Sequence, residues 1–198
     1  MYCISCKNSI SSSQNILCSI CWSEIEFLNE KTPNCAVAKY NGVIRKLIHI
    51  FKYKSPWTLC NLFINWMSLT FNELIEDTDI ILPVPIHKYK LMKRGYNQTA
   101  IIAKELAKKY NKKCFLDLLV KVKNVQAQST LNREERMTNI IGSFGLNKKR
   151  IHHLANRKIL IIDDVVTTGS TLLECTKVLN GHGATAIETL SIAMTDYD

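Results

Sequence analysis

One short segment of this 198-residue chain constrains its fold more than any other. Residues 159–171 run Ile-Leu-Ile-Ile-Asp-Asp-Val-Val-Thr-Thr-Gly-Ser-Thr. Four apolar residues predict the end of a buried central strand, and the following turn, rich in Thr, Gly and Ser, predicts the start of a helix. A strand that leads through two acids and a small polar turn into a helix is typical of an open α/β sheet.

The remainder of the chain alternates helix-like and strand-like segments. Apolar residues recur at helical spacing in residues 43–54, 57–75, 97–109 and 170–179. Short apolar runs predict strands at residues 36–40, 79–83, 114–120, 142–146, 158–162 and 186–193. Residues 121–138 are polar without apolar periodicity and predict a long loop. The alternation predicts an α/β domain with a largely parallel sheet flanked by helices.

The first 34 residues differ because they carry two pairs of closely spaced cysteines. Cys3 and Cys6 form the first pair, Cys18 and Cys21 form the second, and 11 residues separate the pairs. Two such pairs present four thiolates in the tetrahedral arrangement that Zn²⁺ prefers, so we predict one structural zinc ion. Because residues 32–34 (Thr-Pro-Asn) are a turn signal, we predict a small zinc-ribbon domain with four cysteine ligands at 1–34 and a second domain at 35–198.

Other interpretations of the four cysteines remain open: free thiols, a redox-active pair or an iron–sulfur cluster. A segment this short buries too little apolar surface to fold alone, and metal ligation would supply the missing stability. The remaining cysteines are interpreted as small packed residues: Cys35, Cys60, Cys114 and Cys175.

The polar residues after the central strand favour phosphate binding. Backbone N–H groups, hydroxyls and the start of a helix form a phosphate cradle at such a turn. The adjacent acids Asp163 and Asp164 suit sugar hydroxyls and a Mg²⁺ ion held largely through water. A second strand end, at residues 82–88, carries prolines that stiffen the loop; alone it is equally an ordinary strand-to-helix turn.

These segments carry a family resemblance. Residues 159–171 closely resemble the phosphoribosyl pyrophosphate (PRPP) motif of type I phosphoribosyltransferases, and the whole chain resembles the ComF family of bacterial competence proteins. The second resemblance rests on the cysteine tetrad and on residues 93–98 (Lys-Arg-Gly-Tyr-Asn-Gln), an element that ordinary phosphoribosyltransferases lack. Further matching positions are residues 40–42, 47–53 and 83–85, Gln128, Leu131, Arg133, Arg136, Asn139 and residues 142–144.

The resemblance implies a type I phosphoribosyltransferase fold with a site for PRPP and Mg²⁺. Asp163 and Asp164 would contact the ribose 2- and 3-hydroxyls and hold Mg²⁺ through water. The rest of the motif would surround the 5-phosphate: Val165, Val166, Thr167, Thr168, Gly169, Ser170 and Thr171. The earlier loop would hold the pyrophosphate: Val84, Pro85, Ile86, His87 and Lys88. Arg133 or Arg136, in a flexible loop closing over the pyrophosphate, would pair bidentately with its oxygens.

The charge of the chain favours a polyanionic partner. Lys and Arg number 26 against 17 Asp and Glu, a net charge of +9, although AT-rich coding bias would also raise the lysine content. Residues 87–113 are the most basic stretch and include three tyrosines able to stack on bases. The candidate DNA contacts are Lys108, Lys109, Lys112 and Lys113. The alternative is a solvated helix face with partly buried tyrosines.

We expect a cytoplasmic address. Residues 1–34 lack the apolar run of a secretory signal, and no stretch of about 18 apolar residues occurs. Residues 57–71, interrupted by Asn61, Asn65 and Ser68, are interpreted as a buried helix. A peripheral association at the inner face of the cytoplasmic membrane stays open.

The sequence is compatible with three functions. The ComF resemblance implies a competence protein that handles incoming single-stranded DNA and contacts other DNA-uptake proteins. The second is a phosphoribosyltransferase of nucleotide metabolism acting on an unidentified acceptor, and the third is a ligand-sensing regulator without DNA contact. Few residues follow the last strand to cover a nucleobase, although residues 57–75 could serve as a hood. An intact donor site does not by itself establish turnover, because such chemistry needs positioning and charge neutralisation more than a dedicated nucleophile.

Overall fold

A computed structural model describes residues 1–10, 16–30, 32–54, 56–123 and 140–196. Its helices are α1 (Ser19–Ser23), α2 (Gly42–Tyr53), α3 (Pro56–Glu76), α4 (Lys88–Arg94), α5 (Gln98–Lys109) and α6 (Ser170–Asn180). Its strands are β1 (Cys35–Lys39), β2 (Ile80–Pro83), β3 (Lys113–Cys114), β4 (Leu119–Lys121), β5 (Phe144–Leu146), β6 (Lys158–Val166) and β7 (Ala186–Met194). A 3₁₀ turn covers Ile151–His153.

The main sheet is parallel throughout and has the strand order β1-β7-β6-β2-β3. Strands β4 and β5 form a separate antiparallel pair. In the main sheet Pro83 is in register with Ile162, and the Val84 N–H donates to the Ile162 carbonyl at 2.9 Å. The carboxyl ends of β2 and β6 therefore lie side by side, where open α/β sheets bind ligands.

Apolar side chains cover both faces of the sheet. On strand β6, Leu160 and Ile162 pack with helices α2, α3 and α5, whereas Ile159 and Ile161 pack with α6 and the β4–β5 pair. Successive residues of a strand point to opposite faces, which explains why this buried strand is apolar at every position from 159 to 162. The parallel α/β architecture predicted from the alternating pattern is confirmed.

Three local predictions differ from the structure. The strand predicted at residues 114–120 is wrong, because turn residues 116–118 divide this region into β3 and β4. Strand β6 continues through Val166, so Asp163 and Asp164 belong to the strand itself. Helix α4 was not predicted. It contains no buried residue, so its sequence need not show the apolar periodicity by which a helix is predicted.

The N-terminal segment packs against the larger α/β part. Cys3, Leu17, Cys21 and Ile25 belong to the same buried cluster as the side chains of α2 and α3. Trp66 of α3 also meets the rings of Trp22 and Phe27, at centroid distances of 5.7 and 5.2 Å. The predicted boundary at residue 34 stays a prediction.

Among the residues that the structure describes, no helix combines the length and the apolar character needed to span a bilayer.

Candidate functional site

The cysteine tetrad converges in three dimensions. The sulfur atoms of Cys3, Cys6, Cys18 and Cys21 all lie within 4.8 Å of one another, and those of Cys6 and Cys18 are 3.6 Å apart. Thiolates around a zinc ion at about 2.3 Å form a tetrahedron with edges of about 3.8 Å. Four sulfur donors at this separation can therefore hold one metal ion.

The surroundings of Cys3 favour its thiolate, the form of cysteine that binds metal. Burial acts to raise the pKa of Cys3, but backbone hydrogen bonds at Cys6, Cys18 and Ser5 bring it down to about 6. The Cys21 N–H also points to the Cys18 sulfur at 3.5 Å. Burial raises the pKa of Cys21 to about 12. A cation at the centre of the tetrad would offset the cost of burying a charged thiolate, so the four sulfur donors fit a metal ion.

The two adjacent acids of strand β6 serve opposite sides of the sheet. Asp164 meets Lys52 of α2 and Gln98 of α5, whereas Asp163 lies in the field of Lys121 of β4. Both carboxylates are buried, with 9% of Asp163 and 7% of Asp164 exposed. The backbone N–H of Asp164 donates to Asp163 Oδ1 at 2.8 Å, which fixes one side chain against the other.

Asp164 anchors a chain of polar contacts that no single motif reveals. Lys52 Nζ donates to its Oδ1 at 3.0 Å, and Gln98 Nε2 donates to its Oδ2. Arg94 donates to Gln98 Oε1 and, at 3.3 Å, to the hydroxyl of Tyr53. Helices α2 and α5 thus contact this carboxylate directly, and α4 is linked to it through Gln98.

Asp163 has a pKa raised to about 7. Burial is the main cause, followed by the charge of Asp164, while the Asp164 N–H, Lys52 and Lys121 oppose the rise. Lys121 has a lowered pKa, because it is partly buried and lies near the positive charge of Lys90. Lys52, Lys90 and Lys121 thus place positive charge near the two acids at this edge of the sheet.

The turn between β6 and α6 has the geometry of an anion cradle. Gly169 has φ +70°, and a Cβ there would lie 3.1 Å from Asn34 Nδ2, so the position needs glycine. As the N-cap of α6, Gly169 has no side chain to cover the first N–H groups of the helix. The hydroxyls of Thr168 and Ser170 lie 2.7 Å apart. A hollow of about 20 Å³ lies beside these groups.

The 84–88 loop lies next to strand β6 and is held there by the element at residues 93–98. Asn97 Nδ2 and Thr99 Oγ1 donate to the Val84 carbonyl at 3.1 and 2.7 Å. Asn97 also caps α5 through the Thr99 N–H. Tyr96 donates to the Phe51 carbonyl at 2.7 Å, which ties the element to α2. His87 is buried and caps α4, and Lys88 is exposed.

The structure brings the 84–88 loop and the acids together but leaves other candidates elsewhere. Two of the four candidate DNA-binding lysines have partners in or beside α3: Lys109 donates to Ser68 at 2.9 Å, and Lys112 donates to the Glu76 carbonyl at 2.5 Å. Arg133 and Arg136 lie outside the described residues.

Sequence reasoning missed Lys52, Gln98 and Lys121 as site residues. Lys52 and Gln98 lie in residues 47–53 and 93–98, two of the segments that carry the ComF resemblance. The polar residues of those segments could therefore have been considered as candidate site residues. Lys121 stands at the end of a three-residue strand and had no comparable signal.

The model of the phosphoribosyl transferase domain family matches residues 91–195, more than half of the chain. The chain is 24% identical to competence protein F of Haemophilus influenzae, with 96% of each protein covered. It is 26% identical to competence protein ComFC of Streptococcus pneumoniae, covering 92% of this chain and 90% of the relative. It is 25% identical to DNA utilization protein YhgH of Escherichia coli K12, covering 80% and 70%.

The family match covers residues 159–171 and the strands from β3 to β7, which confirms the predicted fold class. The match to the competence proteins extends over nearly the whole chain, which confirms the resemblance drawn from the sequence. The chain belongs to the phosphoribosyltransferase domain family and resembles the ComF-type competence proteins over nearly its whole length.

Proposed function

We propose that this protein binds PRPP with Mg²⁺ and handles incoming single-stranded DNA on the cytoplasmic side of the membrane during natural transformation. The single observation that carries the PRPP part is the pair Asp163 and Asp164 next to a glycine-dependent anion turn. The names of the relatives, competence and DNA utilization proteins, support the DNA part.

PRPP would lie along the carboxyl edge of the sheet. The turn at residues 167–171 would receive its 5-phosphate through N–H and hydroxyl donors. Asp163 and Asp164 would accept from the ribose hydroxyls, and residues 84–88 would lie against the pyrophosphate. Arg133 and Arg136 are proposed to close over the pyrophosphate. Lys52 and Lys121 add positive charge near the acids.

Two metals belong to the proposal. Mg²⁺, held by Asp163 and Asp164 through water, would neutralise charge on the pyrophosphate. Zn²⁺, held by Cys3, Cys6, Cys18 and Cys21, would have a structural role, because four thiolates leave no open position. The lowered pKa of Cys3 supports a thiolate donor.

A thermal shift assay tests the PRPP part. At a ligand concentration of 100 times Kd, PRPP with Mg²⁺ should stabilise the protein by about 2.7 kcal/mol. The double variant Asp163→Asn/Asp164→Asn should lose this shift, measured against its own ligand-free Tm. The control is Asp117→Asn, which removes an exposed acid that pairs with Arg150. This variant should keep the thermal shift. An undiminished shift in the double variant would contradict the proposal.

The DNA part is tested separately with a labelled oligonucleotide. Binding should need no particular sequence and should weaken with salt, because phosphate contacts release counterions. Lys108, Lys109, Lys112 and Lys113 are one candidate contact surface, and replacing all four with Glu tests it. Absence of any binding at low salt would remove the DNA part and leave the PRPP part standing.

A second candidate is phosphoribosyl transfer to an acceptor of nucleotide metabolism. Membership of the phosphoribosyltransferase family and the pair of acids favour it. Release of pyrophosphate from PRPP, measured with nucleobases and with DNA, separates the two. Release that depends on a nucleobase supports the enzyme; PRPP binding without release supports PRPP as a ligand or regulator.

A further inference from the structure

A concave groove lies between the N-terminal segment and helix α2. Its volume is about 980 Å³. Ile4, Ser5 and Lys7 contribute one wall, and the exposed face of α2 and the residues next to it contribute the other. The groove is distinct from the small hollow at the 167–171 turn.

The groove is cationic. Its lining includes Lys7, Arg45, Lys46, Lys52 and Lys54, and none of the described lining residues is acidic. Within the described part of the chain, four of these cations have no carboxylate partner; Lys52 is the exception, paired with Asp164. Unpaired cations in a concave surface focus a positive potential that attracts a polyanion. By contrast, Lys109 and Lys112 have partners in or beside α3.

Three of the basic residues of α2 share one face of the helix. Arg45, His49 and Lys52 are spaced four and three residues apart, as are neighbours along a helix surface. The opposite face, with Leu47, Ile48 and Phe51, is buried in the core. A helix of 12 residues is about 18 Å long, so several phosphates of one strand can lie along it.

The groove also offers aromatic surface. Tyr53 is 59% exposed, and its ring lies 4.9 Å from that of His49 and 5.0 Å from the Arg94 guanidinium. Tyr40 is a further lining ring. Exposed aromatic rings next to cations are the arrangement on which unpaired bases stack while their phosphates contact Lys and Arg. A duplex, whose bases are already stacked, would not use these rings.

We propose that this groove is the binding site for single-stranded nucleic acid. The backbone follows Arg45, Lys46 and Lys7, and a base stacks on Tyr53. This inference rests on the DNA part of the proposed function and assigns that part to a surface different from the four lysines at 108–113. Because Lys52 lines the groove and contacts Asp164, the nucleic acid lies next to the PRPP site.

Fluorescence anisotropy of labelled oligo(dT) with the full-length protein tests the assignment. Arg45→Gln/Lys46→Gln should weaken binding about tenfold or more. The slope of the logarithm of the binding constant against the logarithm of the salt concentration should become less steep, by about 0.7 for each lost phosphate contact. The matched control is Lys148→Gln/Lys149→Gln, two adjacent exposed lysines after β5, which removes the same charge elsewhere and should bind like wild type. A retained PRPP thermal shift in both variants reports an intact fold.

A second variant separates stacking from charge. Tyr53→Leu should weaken oligo(dT) binding roughly 5- to 150-fold but leave binding of inorganic polyphosphate unchanged. Duplex DNA of the same length should bind more weakly than oligo(dT). The groove assignment would be overturned if both glutamine pairs lost the same affinity, or if Arg45→Gln/Lys46→Gln bound like wild type. It would also be overturned if Tyr53→Leu affected both ligands equally. In each of these cases the DNA part of the proposed function would still stand. Failure of the wild-type protein to bind oligo(dT) would overturn both.

Discussion

Lys52 Nζ lies 3.0 Å from Asp164 Oδ1, so an ion pair joins the last turn of helix α2 to strand β6. The two side chains are only 23% and 10% exposed. Gln98 binds the other oxygen of the same carboxylate. One acid of the proposed PRPP site is thereby positioned by residues remote in sequence.

Removing the cation of this pair should destabilise the protein. Lys52→Met leaves the buried carboxylate with less compensation, and we expect the free energy of unfolding to fall by about 1–3 kcal/mol in urea denaturation. The control is Lys54→Met, two residues away and exposed, which should change it by less than about 0.5 kcal/mol. In a double-mutant cycle, Lys52→Met should cost less when residue 164 is already Asn. The same cost in both backgrounds would argue against a coupled pair.

The tetrad should hold one zinc ion per chain. Replacing Cys18 with Ser removes one of four donors, so we expect loss of the metal and of the N-terminal structure, measured by metal analysis and by proteolysis. Cys114→Ser, at a partly buried cysteine outside the tetrad, should keep the full metal content. Zinc retained by a variant lacking all four tetrad cysteines would refute the site.

Gly169→Ala should damage the anion turn. Its φ of +70° is unfavourable for alanine, and the new methyl group would meet Asn34 at 3.1 Å. We expect a loss of at least about 1 kcal/mol in stability and weaker PRPP binding by calorimetry. Gly42→Ala is the matched control, since a Cβ there meets nothing within 4 Å. Equal behaviour of the two variants would mean that the turn tolerates a side chain.

Asn97 should support the 84–88 loop as well as helix α5. Asn97→Ala removes the helix cap and the hydrogen bond to the Val84 carbonyl, and we expect a loss of about 1 kcal/mol in stability with weaker PRPP binding. Asn97→Ser retains a capping hydroxyl but lacks the amide donor. It should recover most of the stability but not the PRPP affinity. Full recovery of both by serine would show that the contact with Val84 is unimportant.

The sequence was most informative where one local pattern decides the structure. Alternation of apolar runs predicted the parallel sheet, and Cys-x2-Cys spacing predicted that four sulfurs would converge. The run of Thr, Gly and Ser after the apolar strand predicted a turn into a helix, and Gly169 lies at that turn.

Contacts between distant segments were not readable in this way. The contact between Lys52 and Asp164 joins residues 112 positions apart, and nothing near either residue indicates the other. The groove likewise depends on how the N-terminal segment packs against α2. The division of residues 114–120 into two strands escaped prediction because the apolar run continues through the turn at buried Leu118.

Cys3 and Cys21 belong to the same buried cluster as Phe51 and Phe63, so the proposed metal centre is continuous with the main core. If the metal is lost, apolar side chains of α2 and α3 would be exposed to water along with the thiols. A cell short of zinc would then hold less of the folded protein, because its quality-control proteases degrade chains with exposed cores. The supply of zinc would then alter the amount of this protein in the cell without any change in its transcription.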